Sequence, residues 1–221
     1  MLEKVLAQTE QGLTEIDDLL AEWGDRAWVN INKRMQPWLR EAVARFSLDT
    51  SVQVEISGPR WGMTCNGIHF LDLVSYALGQ EVMEAEVTKP LTWFPSNRQG
   101  YWESFGELGF RLSRGATVNM SSSQVDVPFQ MRIMGDKKEC EIDLWEAQVK
   151  CSDGSSSAFS AKGHTDIVME FIREIWTTRT CSLPSVKEAV ALHQKFIRPL
   201  VVSWGAYAGI EDESDLYAPV T

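Results

Sequence analysis

Apolar residues recur at helical spacing through residues 9–23, where Leu13, Ile16, Leu19, Leu20 and Trp23 share one side. Thr9 is placed to cap the start of that helix, and Gly24 and Asp25 punctuate its end. Residues 26–31, RAWVNI, read as a short strand, and LEKVLA ahead of the helix reads as the end of another. Strand, helix and strand within the first 32 residues predict a parallel unit, because a parallel pair needs a crossover. Pro37 opens a further helix through WLREAVARF. In residues 51–58 the alternation of Val52, Val54 and Ile56 predicts a half-buried strand. The next helix ends at Gly79, a natural stop; Gly62 and Gly67 loosen the backbone before it, and Asn66 is placed as its N-cap.

From residue 81 to residue 151 the period changes to two. EVMEAEV, GELGFRLS, ATVNMSSSQ, FQMRIMG, CEIDLW and AQVKCS are short alternating runs separated by turn residues. They predict a largely antiparallel sheet of about five or six strands, with SRGA at 113–116 as a hairpin turn. Residues 152–163, SDGSSSAFSAKG, read as a flexible loop. Two helices close the chain. The first places Ile167, Val168, Phe171, Ile172 and Ile175 on one face; the second opens with the capping box Ser185 and Glu188. A sheet must have its apolar face covered, and helices at 67–78, 164–178 and 185–204 are the candidates. The fold class is therefore α+β: an open, mostly antiparallel sheet covered by helices and preceded by a partial βαβ unit.

Composition narrows the function classes. The 221 residues carry a net charge of −10, which disfavours nucleic acid because phosphate binding needs clustered Lys and Arg. The densest basic spot, GDKKE at 135–139, reads as a solvated turn. No apolar run reaches the roughly 18 residues of a membrane span, and the N-terminus has no hydrophobic signal core. The expectation is a cytoplasmic protein with neither nucleic acid nor membrane as a partner. Cys65, Cys140, Cys151 and Cys181 have no zinc-site spacing and read most simply as reduced thiols, with a disulfide between two of them left open; no metal site is expected.

Three histidines occur. His164 and His193 read as structural or solvent-facing. His69, in RWGMTCNGIHFLDLVSYALG, stands near the start of an apolar helix just after turn-forming residues. A lone histidine there is most often a packed ring with its nitrogens satisfied; the other reading is chemistry.

Several short motifs in order bear on that choice. Glu3-Lys4-Val5, Asn32-Lys33-Arg34-Met35-Gln36-Pro37, the run from Cys65 through His69 to Asp72, Gly135-Asp136-Lys137-Lys138 and LPSVKEAVALHQ span almost the whole chain. Their order and spacing resemble the Gfo/Idh/MocA oxidoreductases, relatives of glucose-fructose oxidoreductase and inositol dehydrogenase. The stretch WGMTCNGIHFLDL is most similar to the branch found with surface-polysaccharide and acylneuraminate genes. The resemblance implies a dinucleotide-binding Rossmann domain followed by an α+β domain, here a remnant over 1–36 and a substrate and dimerisation domain over 37–221. It implies hydride transfer between NAD or NADP and a sugar, cyclitol or nucleotide-sugar hydroxyl.

The same resemblance assigns roles. Lys4 takes the place of the family's catalytic lysine and contacts the cofactor side. His69 takes the hydroxyl proton as base, since imidazole titrates near neutrality. Arg34, Trp61, Cys65 and Asn66 would line the substrate, with a domain-junction salt bridge as the other reading of Arg34. Asp72 is read as fixing the helix or nearby backbone. Three departures stand out. No G-x-G-x-x-G occurs, so no pyrophosphate cradle is present; Val5 replaces a proline; and Cys65 replaces an aspartate. The expectation is a substrate-side portion that binds no dinucleotide alone, or a non-enzymatic sugar-binding or oligomerisation module of the same descent. A homo-oligomer through the open sheet is expected, and residues 1–32 should expose apolar surface and a strand edge that dimerisation covers or that is mobile.

Overall fold

The computed structural model describes the backbone of residues 1–221 and the side chains of all but residues 24, 25 and 213. The helix-ending role given to Gly24 and Asp25 therefore lies outside the described side chains. Helix α1 (Glu10–Leu20) starts where expected, with the Thr9 side chain accepting the Gly12 N–H. A 3-10 turn over Ala21–Arg26 continues it. The two short strands around α1 are reduced to single bridges. Leu2 pairs parallel with Val29, and Trp28 pairs antiparallel with Ser185.

A 3-10 turn (Asn32–Met35) leads into α2 (Pro37–Ala44), whose proline stands in the first turn, where its missing N–H costs nothing. Strand β1 (Gln53–Pro59) follows, then α3 (Met63–Leu78), which ends on Gly79 at φ 62° as a left-handed stop. The remaining strands are β2 (Val82–Pro95), β3 (Trp102–Leu112), β4 (Thr117–Ser123), β5 (Gln130–Met134), β6 (Glu139–Asp143), β7 (Gln148–Cys151) and β8 (Ser156–Ala158). Helices α4 (His164–Thr178) and α5 (Val186–Ala208) complete the order, the latter with the Ser185–Glu188 capping box in place.

All eight strands form one sheet in the order β2-β3-β4-β1-β5-β6-β7-β8. Neighbours are antiparallel except β1 and β4, which run parallel from Gln53↔Thr117 to Pro59↔Ser123. β8 forms in the stretch expected to be a loop. It is three residues long and fully exposed, and it adds itself to β7 by backbone pairing alone, which leaves no hydrophobic signal in the sequence.

One face of the sheet is apolar. Val54, Ile56, Leu108, Phe110, Val118, Met120, Met131 and Ile133 are all buried there. α3 and α5 cover it; Phe196 of α5 stacks on Phe110 with ring centroids 6.2 Å apart. The opposite face is polar, with Glu55, Arg111, Asn119, Arg132 and Glu141 projecting from successive strands.

Two expectations are corrected. α4 does not cover the sheet: its Ile167 and Phe171 join Trp28, Met35 and Leu183 in a separate small cluster, while Ile172 is 47% exposed. The hydrophobic stripe was real, but its partner is the N-terminal segment. Cys140 and Cys151 are joined by a disulfide across the β6–β7 hairpin, where they are directly opposed, so the reading of four reduced thiols fails for this pair. The N-terminal segment itself divides. Leu13, Val29 and Ile31 are sealed in the main core, whereas Leu19 and Trp23 on the outer side are largely exposed.

Candidate functional site

The first turns of α3 collect most of the residues singled out in the sequence. Gly62 precedes the helix with φ 72°, a left-handed turn that a side chain would strain. The expected cap, Asn66, lies inside the helix instead. Its Nδ2 donates to the carbonyl of Trp61 at 2.9 Å, so it ties the turn together without capping it. The N-terminal anion comes from another element: Glu103 of β3 accepts from the Thr64 N–H at 3.2 Å and the Thr64 hydroxyl at 2.6 Å.

Lys4 reaches the same turn from the N-terminal segment, just before a cis Lys4–Val5 peptide. Its Nζ donates to the carbonyl of Cys65 at 2.9 Å, to Cys65 Sγ at 2.8 Å and to a backbone oxygen of Thr221 at 3.3 Å. His69 lies one turn further along α3 and is only 9% exposed. Its Nδ1 accepts the backbone N–H of Asn32 at 3.2 Å. A ring that accepts on Nδ1 carries its proton on Nε2 when neutral. Burial, reinforced by Lys4, Lys33 and His193, pushes the ring's pKa down to about 3. At neutral pH the imidazole is therefore uncharged and presents an N–H. The base expected at this position has its lone pair engaged by Asn32, and the ring acts first as a hydrogen-bond donor.

Trp61 is packed rather than open. It stacks on Phe129, meets Phe70 edge-on, and donates Nε1–H to the Ser121 carbonyl at 2.8 Å. Arg34 and Asp72 form a buried two-pronged ion pair, with Arg34 Nε to Asp72 Oδ2 at 2.7 Å and a second bond from Nη2 to Oδ1. Arg34 also stands 4.3 Å from the Tyr76 ring centroid. Burial pushes the Asp72 carboxyl up to about 6 even though Arg34 opposes the shift; Glu188 adds to it. A cavity of ≈ 610 Å³ opens beside this pair, with Tyr76, Gln80, Glu188 and Lys195 in its wall. Two larger cavities, of ≈ 720 and ≈ 640 Å³, run along β2 and α5 and include neither Lys4 nor His69 in their walls. The ≈ 610 Å³ cavity likewise has neither of them in its wall.

Sequence reading missed Glu103 and Lys33. Lys33 lies against the Phe70 ring at 5.3 Å, and burial lowers its pKa. Glu103 sits in an alternating strand with nothing local to distinguish it; only the sheet register brings it to α3. His193 is fully buried, its Nδ1 bonded to the Ala189 carbonyl at 2.6 Å, and burial lowers its pKa to about 4. His164 is exposed at the start of α4. Among the described residues no helix is long and apolar enough to cross a membrane, and no three His, Cys, Asp or Glu side chains group to hold a metal ion.

A dinucleotide does not fit the residues present. No glycine-rich turn precedes a helix, the N-terminus of α1 is closed by Thr9 and begins with Glu10, and that of α3 holds the Glu103 carboxylate. Neither of these two helix ends offers a cradle to an anionic pyrophosphate.

No family model and no curated protein matches the sequence. Solved structures do match in fold. Aldose-aldose oxidoreductase from Caulobacter crescentus superposes with a TM-score of 0.65 at 18% identity, covering 94% of this chain and 69% of that one. UDP-N-acetylglucosamine 3-dehydrogenase from Acidithiobacillus ferrooxidans gives 0.63 at 14% identity over 89% of this chain and 68% of that one. A super-repressor mutant of Gal80p from Saccharomyces cerevisiae gives 0.62 at 14% identity over 92% and 70%. The fold is thus shared with sugar oxidoreductases and with a repressor.

Proposed function

We propose that this chain is the substrate-side portion of a Gfo/Idh/MocA-type, NAD- or NADP-dependent oxidoreductase that acts on a sugar, cyclitol or nucleotide-sugar hydroxyl in the cytoplasm. One observation carries the reading: a lysine from the N-terminal segment is delivered to the first turn of the helix that bears His69 one turn later. Two hydrogen-bond donors on one helix end suit an alcohol oxygen that gains negative charge as its proton leaves. The Lys4 ammonium stabilises that charge, and the Nε2–H of His69 orients the oxygen in a site where burial strengthens both bonds. Taking the proton onto His69 requires the ring to exchange its Asn32 contact. Because the residues present do not cradle a pyrophosphate, no step is derived through the cofactor. A homo-oligomer through the open sheet would use the polar face, so its contacts would be hydrogen-bonded and wet.

A second reading has its own support. The fold is shared with Gal80p, and Cys65 occupies the position where the resemblance places an aspartate. On that reading the chain is a sugar-binding or oligomerisation module without catalysis. Isothermal titration with NAD(H) and NADP(H) tests the missing cradle common to both, and titration with sugars separates them. With the dinucleotides the expected result is no binding by a folded chain. Micromolar binding would overturn the statement that no cradle exists here and assign oxidoreductase activity to these residues alone. Sugar binding undiminished in Lys4→Met and His69→Gln would favour the module.

A further inference from the structure

Residues 218–221 run between the N-terminal segment and β3 and belong to neither helix nor sheet. Glu211, Asp212 and Tyr217 ahead of them are exposed, yet Ala218, Pro219 and Val220 are buried, with Ala218 and Val220 in the main core. Backbone groups buried this way need partners. The Ala218 N–H donates to the Gln8 carbonyl at 2.9 Å, the Trp102 N–H donates to the Pro219 carbonyl at 2.8 Å, and Gln8 Nε2 donates to the Val220 carbonyl at 3.0 Å. The segment is thus anchored on two elements as far as Val220. Thr221 is built differently. It is half-buried, and among the described residues its hydrogen bonds come from side chains alone. Lys4 Nζ donates to its backbone oxygen at 3.3 Å, and Nη1 of Arg98, exposed on the β2–β3 turn, donates to its Oγ1 at 2.9 Å. An ammonium has three protons. Cys65 takes two of them, at 2.9 and 2.8 Å, and the third rests on Thr221 in the longest bond of the set. Lifting Thr221 breaks two bonds and leaves the anchor at Ala218–Val220 intact.

We propose that Thr221 is a latch on the Lys4 site: its backbone oxygen holds the ammonium proton that a substrate oxygen takes, and Arg98 keeps the latch shut. The inference rests on the reading of Lys4 given above and adds a gate to it, since a hydroxyl-bearing ligand reaches that proton by displacing one residue. Competitive acetylation with trace acetic anhydride, read by mass spectrometry of the Lys4 and Lys187 peptides, measures how open Lys4 is; Lys187 is exposed and serves as the internal reference. In the wild type Lys4 should react more slowly than Lys187, and an equal rate overturns the proposal. Thr221→Val and Arg98→Ala remove the same bond, so each should raise the Lys4 rate by about fivefold, the population change that one hydrogen bond controls. The double variant should give no further rise, and Thr221→Ser, which keeps the hydroxyl, should react as the wild type does. A rate unmoved in both single variants overturns the latch. So does a rise in Arg98→Ala without one in Thr221→Val, which would report only the lost charge. Thr221→Ala removes the same hydroxyl should Thr221→Val not fold. Because no substrate enters the measurement, the two readings fail separately: sugar binding undiminished in Lys4→Met would remove the role given to Lys4 and leave the Thr221–Arg98 closure in place.

Discussion

Helix α3 carries two polar clusters about two turns apart, and they are built on opposite plans. Around Arg34 and Asp72 every prong is engaged: a bidentate pair, both members over nine-tenths buried, with an aromatic ring against the guanidinium. Around Lys4, Cys65 and Glu103 the contacts are single bonds to backbone, sulfur and hydroxyl, and the lysine is half-buried. The first arrangement is a lock between the 3-10 turn Asn32–Met35 and α3. In the second the three lysine donors rest singly on the Cys65 carbonyl, the Cys65 sulfur and a Thr221 oxygen, contacts that a ligand would take over one at a time. Buried charges sealed to each other cannot serve a substrate; charges held by weaker neutral partners can.

The largest test removes one member of the lock. Arg34→Met or Asp72→Leu alone strands a buried charge and should lower stability by about 3–5 kcal/mol in urea unfolding. The double variant should recover most of that loss, because an apolar pair of similar volume avoids desolvation. A double variant as unstable as the singles would mean that the pair holds α3 by geometry that carbon cannot replace.

The pH dependence of stability sharpens the contrast. His69 and His193 have folded pKa values lowered from 6.5 to about 3 and about 4, so the stability they contribute is present above pH 6.5 and is lost as pH falls. Asp72 has the opposite sign. Its folded pKa is raised from 3.8 to about 6, so its contribution is present below pH 3.8 and is lost as pH rises toward 6. Between pH 4 and 6 the unfolded chain gains two histidine protons against one on folded Asp72. Stability should then fall on acidification with a slope of about 1.4 kcal/mol per pH unit. Asp72→Asn should steepen that slope; a flat profile in the wild type would mean that the histidines are not held neutral.

The smallest effect belongs to the open end of α3. Asn66→Ala loses one bond to the Trp61 carbonyl and should cost about 1 kcal/mol in the same unfolding assay. A loss as large as that at Asp72 would make the two clusters equally structural and erase the distinction between them.

Local pattern made much of this legible. The caps at Thr9 and Ser185, the stop at Gly79, the inward row Val52, Val54 and Ile56, and the SRGA hairpin all depend on residues within a few positions of one another. What local pattern could not carry was partnership. α4 has a true apolar stripe, but no sequence rule says that Trp28 and Met35 rather than the sheet receive it. The resemblance singled out Lys4 and His69, and both lie at the ends of α3 contacts, whereas Glu103 enters only through strand register. Sequence allows Arg34 either a ligand contact or a salt bridge; Asp72 accepts from its Nε and Nη2. The histidine's protonated edge was likewise set by a backbone N–H at Asn32, distant in the chain.

The parallel pairing of β1 with β4 has a consequence for how the molecule is made. β1 leaves the ribosome before any other strand, yet its two neighbours in the sheet are β4 and β5, which end at Ser123 and Met134. The sheet's central strand therefore waits, unpaired, through the synthesis of the long β2–β3 hairpin, which can close on its own. Long-range pairings of this kind are slow because loop closure precedes any return from contacts. Nascent chains stalled before β5 should hold a formed hairpin and an exposed Val52–Ile56 segment, a natural binding site for chaperones during translation.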